Sequence, residues 1–285
     1  YAFPDFSGRR ACDARAWSFF NRFKKGFDRY LPWALGKDPN AEDMPLWVVP
    51  DRKLSVHDVE MAMRDHYENT PMALDSANIG GGVYQMPYRP TPISTQQTAF
   101  TFVSQLRSWL PREIGGITWF GNDDANMVAY TPVYCNNTVV PECYNTPGAD
   151  AVTFSDKNAF WVCNWVSNMV YPRYSQLFPE LQAVRDSLEA DYFARQAEVE
   201  KHALELYGSD KAAAVAYLNA YSNDKAQQML AHWRDLATLI IVKYNDMAVK
   251  RTKDGKLTRY VDRPGYPEAF AKKLVKETGD WYESK

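Results

Sequence analysis

The residues from which portable catalytic and metal-binding motifs are assembled are scarce in this sequence. Four histidines and four cysteines are spread over 285 residues, and the patterns HExxH, GxSxG, GxGxxG and the Walker loop are all missing. Cys12, Cys135, Cys143 and Cys163 form no CxxC pair and have no histidine at zinc-finger distance, which excludes a zinc ribbon or finger. Charge of one sign is also wanting. The 33 basic and 35 acidic side chains leave a net charge of −2, so no global field draws in nucleic acid or an anionic membrane surface. The best apolar run, 237–242, falls far short of the roughly 18 residues of a membrane span.

Aromatic residues, by contrast, are plentiful: 9 Trp, 18 Tyr and 14 Phe, beside 17 Pro. With 46% hydrophobic and 24% charged residues the composition is that of a folded globular chain. The aromatic surplus suits β-rich packing and a wide aromatic-lined cleft. Residues 1–6 carry neither a basic start nor an apolar stretch. Without an initiator methionine the sequence reads as a piece of a longer protein, and its compartment stays open between export and the cytoplasm. Two readings of the cysteines follow: a Cys135–Cys143 bridge across a turn-rich segment if exported, or four reduced thiols.

Periodicity divides the chain. In 13–30, Trp17, Phe20, Phe23 and Phe27 recur at helical spacing beside Arg15, Arg22, Lys24 and Lys25, which predicts an amphipathic helix. Pro32, Pro39, Pro45 and Pro50 punctuate a looped stretch in which 46–49 reads as a short buried strand or extended segment. Ser55 and Asp58 form a capping box for a helix carrying Val56, Val59, Met63 and Tyr67 on one face, which Pro71 ends near Glu68 and Asn69. Gly80, Gly81 and Gly82 imitate a phosphate loop, but no Lys-Ser/Thr follows, and Pro87, Pro90 and Pro92 forbid a helix start.

Strands are expected at 98–106, 114–120 and 128–134, the last after a polar turn at 122–126, giving an antiparallel sheet. Segment 158–171 reads as a buried helix. Segments 180–206, 209–221 and 224–250 form a helical run broken at Gly208 and Ser222-Asn223. Turn chemistry returns at Asp254-Gly255 and 264–267, before a Lys-rich helix or tail. The whole is an α+β chain, with a sheet-bearing part, 1–144, and a mainly helical part, 145–285. His57 and His66, nine apart, point to opposite sides of a helix and cannot share a metal there, and each of the four histidines reads as a solvated or hydrogen-bonded residue.

Several phrases in order carry a family resemblance. They are Arg64-Asp65-His66-Tyr67-Glu68-Asn69-Thr70-Pro71, Gly82 with Pro87-Tyr88-Arg89, Thr98, Val103-Ser104-Gln105-Leu106-Arg107 and Leu110-Pro111. Ile114-Gly115-Gly116-Ile117-Thr118-Trp119, Tyr130-Thr131-Pro132-Val133-Tyr134 and Pro141-Glu142-Cys143-Tyr144 continue the series. Together they resemble the C-terminal half of the bacterial dipeptidases among the N-terminal-nucleophile (Ntn) cysteine peptidases, relatives of penicillin acylase and secernin. The resemblance covers roughly residues 15–192 and extends more loosely to the end.

The resemblance implies an Ntn-hydrolase-like fold of antiparallel sheet layers packed with helices, cleaving dipeptides without metal or cofactor. In that chemistry a chain-terminal Cys attacks the scissile carbonyl, its α-amino group acts as base, and a thioester acyl-enzyme is hydrolysed. Residue one here is Tyr1, so the nucleophile is expected upstream, no catalytic residue is expected in this chain, and the chain alone is expected to be silent. Its expected partners are a dipeptide and the missing N-terminal portion, with no nucleic acid or membrane; a homo-oligomer is compatible. Arg107 is the candidate substrate anchor, holding a peptide carboxylate or the oxyanion region, with an ion pair as the plainer alternative. Trp119 and Tyr134 either line the cleft or fill the core. Arg64, Asp65, His66 and Glu68 read as a buried network, with substrate contact the alternative. The histidine that many relatives carry near Phe102 is replaced, which removes a base from that strand. A non-catalytic peptide-binding scaffold and an amidase for a non-peptide acyl substrate are the other functions the residues allow.

Overall fold

A computed structural model describes residues 6–36, 38–73, 92–265 and 268–279. The glycines Gly80, Gly81 and Gly82 and the Pro87-Tyr88-Arg89 phrase lie outside the described residues. Helix α1 (Phe6–Phe23) does not reach Tyr30 as the aromatic spacing predicts. Gly26 at φ +70° breaks it, a left-handed conformation that glycine adopts without a steric penalty. Phe27 and Tyr30 instead come from a 3₁₀ turn that leads into α2 (Leu31–Leu35), and with Ala14, Trp17, Ala34, Tyr67 and Met72 they close a small core. Segment 46–49 is neither strand nor buried: Leu46 and Trp47 are 69% and 74% exposed. Pro45 and Pro50 bracket it, and proline offers a ladder no N–H.

Helix α3 (Val56–Met63) opens on the expected capping box, with Ser55 Oγ accepting from the Asp58 N–H at 3.1 Å and the Asp58 carboxylate accepting from the Ser55 N–H at 2.8 Å. It stops at Met63, well before Pro71 requires, and the chain beyond it turns left-handed at Tyr67 (φ +62°) and Asn69 (φ +61°), so Tyr67 lies off the helix face on which the spacing put it.

The sheet is antiparallel in the order β1 (Phe100–Leu106), β2 (Gly116–Asn122), β3 (Thr131–Tyr134), with α4 (Arg112–Gly115) between the first two strands. Val103 faces Trp119 across one ladder and Ile117 faces Tyr134 across the other, and all four are buried on the inward face. Helices α5 (Ala159–Val170), α6 (Tyr174–Ser209) and α7 (Lys211–Tyr244) cover that inner face.

Gly208 does not end α6. The break comes at Asp210, whose carboxylate accepts from the Ala212 and Ala213 N–H groups and starts α7. Nor do Ser222 and Asn223 interrupt α7. Their side chains accept from the Tyr134 and Glu142 N–H groups, at 3.3 and 3.0 Å, and dock the helix on the sheet end. Beyond it, β4 (Val249–Lys253) and β5 (Lys256–Asp262) form a hairpin about Asp254 and Gly255, and α8 (Glu268–Thr278) follows. The chain is thus α+β, and one core runs from Val103 to Tyr244 through strands and helices alike. All four cysteines are free. Among the described residues no helix is long and apolar enough to cross a membrane.

Candidate functional site

The connection between β2 and β3 departs furthest from the sequence reading. The expected polar turn at 122–126 and the first residues of the expected strand are a single irregular segment, and every residue of 123–130 is buried. A buried loop must find partners for its backbone polar groups, and here side chains supply them. The Arg64 guanidinium donates to the carbonyls of Ala125 (3.0 Å) and Val128 (3.2 Å), Arg185 donates to that of Asn126 (2.8 Å), and the Trp233 indole donates to that of Met127 (3.1 Å). Glu189 accepts from the Tyr130 N–H at 2.8 Å while pairing bidentately with Arg64. Arg64 and Glu189 are 2% and 3% exposed, and the pair ties the end of α3, the loop and the middle of α6 together.

The loop presents two carboxylates. Asp123, at φ +90°, accepts from Ser167 Oγ (2.6 Å) and Asn164 Nδ2 (3.0 Å). Burial pushes its carboxyl up to about 6 against the pull of those hydrogen bonds. Asp124 accepts from the hydroxyls of Ser94 and Tyr171 and from the Asn126 N–H. His66 stands beside this group, its two ring nitrogens 3.5 Å from Asn126 Nδ2 and Tyr171 Oη, and its ring edge-on to Tyr174. Asn126 donates to the Tyr174 hydroxyl at 2.8 Å, and Asp65 receives Arg22, which also holds Glu68.

Two buried non-glycine residues in left-handed backbone, Tyr67 and Asp123, flank the cluster. Such strain persists only where surrounding contacts impose it, and it concentrates at functional sites. The assembly can hold a proton between carboxylate, phenol and imidazole and can fix a polar ligand. Of the four thiols, the two buried ones are poor nucleophiles: burial pushes Cys143 up to about 12 and Cys163 well above its ordinary value, which keeps both protonated at neutral pH.

The structure brings the three residues proposed from sequence as a substrate site into one polar chain. Arg107 and the Tyr134 hydroxyl both meet Glu200 of α6, Gln196 donates to Glu200 (3.0 Å) and Gln105 (3.1 Å), and the Trp119 indole donates to Gln105 (3.3 Å). Arg107 also donates to the carbonyls of Ile114 and Gly115, both at 3.2 Å. Trp119 and Tyr134 are buried. As they stand these side chains cross-link the sheet to α6, and a ligand carboxylate reaching Arg107 has to displace Glu200. Arg64, Asp65 and His66 are brought together around the buried loop, and Glu68 joins through Arg22. Sequence reasoning missed Arg185 and Glu189, although they lie on the Leu181, Leu188 and Tyr192 stripe, where charges would otherwise be excluded.

The chain matches the model of peptidase family C69 over residues 1–187. It is similar to a probable dipeptidase of Latilactobacillus sakei, 24% identical over 240 residues, covering 82% of this chain and 46% of that protein. It is also similar to dipeptidase A of Lactobacillus helveticus, 26% identical over 69% of this chain and 38% of that protein, and to probable dipeptidase B of Streptococcus pyogenes serotype M1, 23% identical over 67% and 39%. The chain spans less than half the length of these curated relatives.

Proposed function

The chain belongs to peptidase family C69, and from that premise we propose that it is the framework part of a cysteine dipeptidase whose nucleophilic thiol lies outside these 285 residues. The family match carries the reading. The state of the buried thiols supports it, since neither Cys143 nor Cys163 can attack a carbonyl while protonated in an apolar core. In this reading the missing thiolate adds to the peptide carbonyl, the amine leaves, and water hydrolyses the resulting thioester. In the same reading the Asp124, His66 and Tyr171 group, held by the buried 123–130 segment, would act as positioning residues. Arg107, with Trp119 and Tyr134, would serve as substrate anchor once Glu200 withdraws.

The outer face of the sheet supports the same division of labour. Phe100, Phe102 and Leu106 alternate along β1 on the side away from the helices, 51 to 76% exposed, and Trp109 in the turn after the strand is 77% exposed. Phe100 stacks on both Phe102 and Phe120. An apolar sheet face of this kind requires a second layer, which in this reading the rest of the protein supplies. The test is a substrate panel on the purified full-length protein, comparing dipeptides, longer peptides and N-acyl amides by release of free amine. Dipeptide turnover supports the proposal. Turnover of the acyl amides alone would assign an amidase, and peptide binding without turnover a scaffold.

A further inference from the structure

One group near the buried loop is left without a partner. Glu60, one turn along α3 from His57, is fully buried, and among the described residues neither of its carboxylate oxygens receives a hydrogen bond. Native proteins rarely leave a buried carboxylate in that condition. Both oxygens therefore keep their lone pairs for a ligand from outside the chain.

We propose that His57, Glu60 and Glu189 form a binding site for a divalent transition-metal cation, zinc by its donor set, that staples α3 to α6. One ligand atom from each residue lies within 4.8 Å of the other two, and a small contraction about a central ion reaches zinc–nitrogen and zinc–oxygen bonds of about 2.0–2.2 Å. His57 and Glu60 share a helix face by their i, i+3 spacing, with His57 Nδ1 3.8 Å from Glu60 Oε2. The His57 ring is held edge-on by Phe193, one turn along α6 from Glu189.

Glu189 keeps a lone pair free on Oε2, because among the described residues that oxygen accepts only from Arg64 Nη1 while Oε1 takes Arg64 Nη2 and the Tyr130 N–H. One imidazole and two carboxylates suit zinc or manganese better than magnesium or calcium. Arg64, and more distantly Arg185, face the same carboxylates. The two carboxylates offset a dication's charge, and the ion would sit on the side where the His57 side chain is 59% open to water. His202 and Glu205 repeat the i, i+3 pair on α6 with both side chains exposed and no buried carboxylate between them, which makes them an internal control.

The full-length protein, stripped with a chelator and titrated with Zn²⁺ by calorimetry at pH 8, tests this. His57→Ala and Glu60→Gln, one at the surface and one isosteric, are each expected to weaken zinc binding at this site at least tenfold. Zinc should raise the Tm of the parent but not of either variant, and His202→Ala should bind like the parent. Affinity should fall as pH is lowered toward 6. Equal zinc binding in parent, His57→Ala and Glu60→Gln, as thiols elsewhere would give, overturns the site, as does a parent that binds no zinc. Because the readout is calorimetric, failure of dipeptide turnover leaves this result untouched.

Discussion

Replacing Asp123 by Asn isolates the electrostatic cost of the buried loop. In the unfolded chain the Asp123 carboxyl titrates near 3.8, whereas burial holds it protonated in the folded protein up to about 6. Between those values the folded state binds more protons, so stability conferred by this group is fully present below about pH 4 and lost as pH rises past about 6. Two pKa units correspond to about 3 kcal/mol at the limit.

Asparagine removes that penalty with little disturbance of the contacts. Its oxygen can accept from Asn164 and its amide can donate to Ser167 Oγ, whose single proton then turns from Asp123 to the Asn164 carbonyl 3.1 Å away. Asparagine also tolerates positive φ. Urea unfolding of the full-length protein should therefore show Asp123→Asn more stable than the parent by about 1–3 kcal/mol at pH 7.5, and within about 1 kcal/mol of it at pH 4. A variant destabilised equally at both pH values would refute the account and leave Asp123 as an ordinary hydrogen-bonded residue.

Arg64→Met leaves Glu189 charged and buried and strips two loop carbonyls; unfolding should show a loss of about 3–5 kcal/mol. Gly121→Ala places a Cβ 2.6 Å from Val128 Cγ2 and should cost about 1–3 kcal/mol, read as a lower Tm. Arg107→Ala separates anchor from cross-link: lost turnover with an unchanged circular dichroism spectrum assigns substrate contact, and unchanged kinetics with a lowered Tm assigns the link to Glu200. If the outer sheet face is covered in the whole protein, Phe100→Ser combined with Phe102→Ser should destabilise it and raise binding of a hydrophobic dye, whereas unchanged stability would show that face open to water.

The regular elements were legible where one periodicity dominates. The Ser55–Asp58 box, strands 98–106 and 114–120 and the helix at 158–171 appear within a few residues of their expected bounds. The failures have local causes. Leu46 and Trp47 look like a buried strand only because apolar composition says nothing of the partner a strand needs. Asp123, Asp124 and Asn126 carry every sign of a surface turn, and their burial depends on Arg64, Arg185 and Trp233, which lie 59 to 106 residues away from the carbonyls they satisfy. Long-range satisfaction of this kind leaves no trace in local propensity. It leaves a faint one in Arg185 and Glu189, charges set on an apolar helical stripe. Ser222 and Asn223 mislead in the opposite sense, since helix-breaking polar residues can be retained in a helix for the neighbours they hold.

The division between framework and nucleophile is tested most directly by removing every thiol this chain contains. A full-length protein carrying Cys12→Ala, Cys135→Ala, Cys143→Ala and Cys163→Ala, with its fold checked by circular dichroism, should still hydrolyse dipeptides and still be inactivated by iodoacetamide. Loss of turnover in that folded variant, restored when one of the four cysteines is put back, would place the nucleophile among these residues and contradict the account.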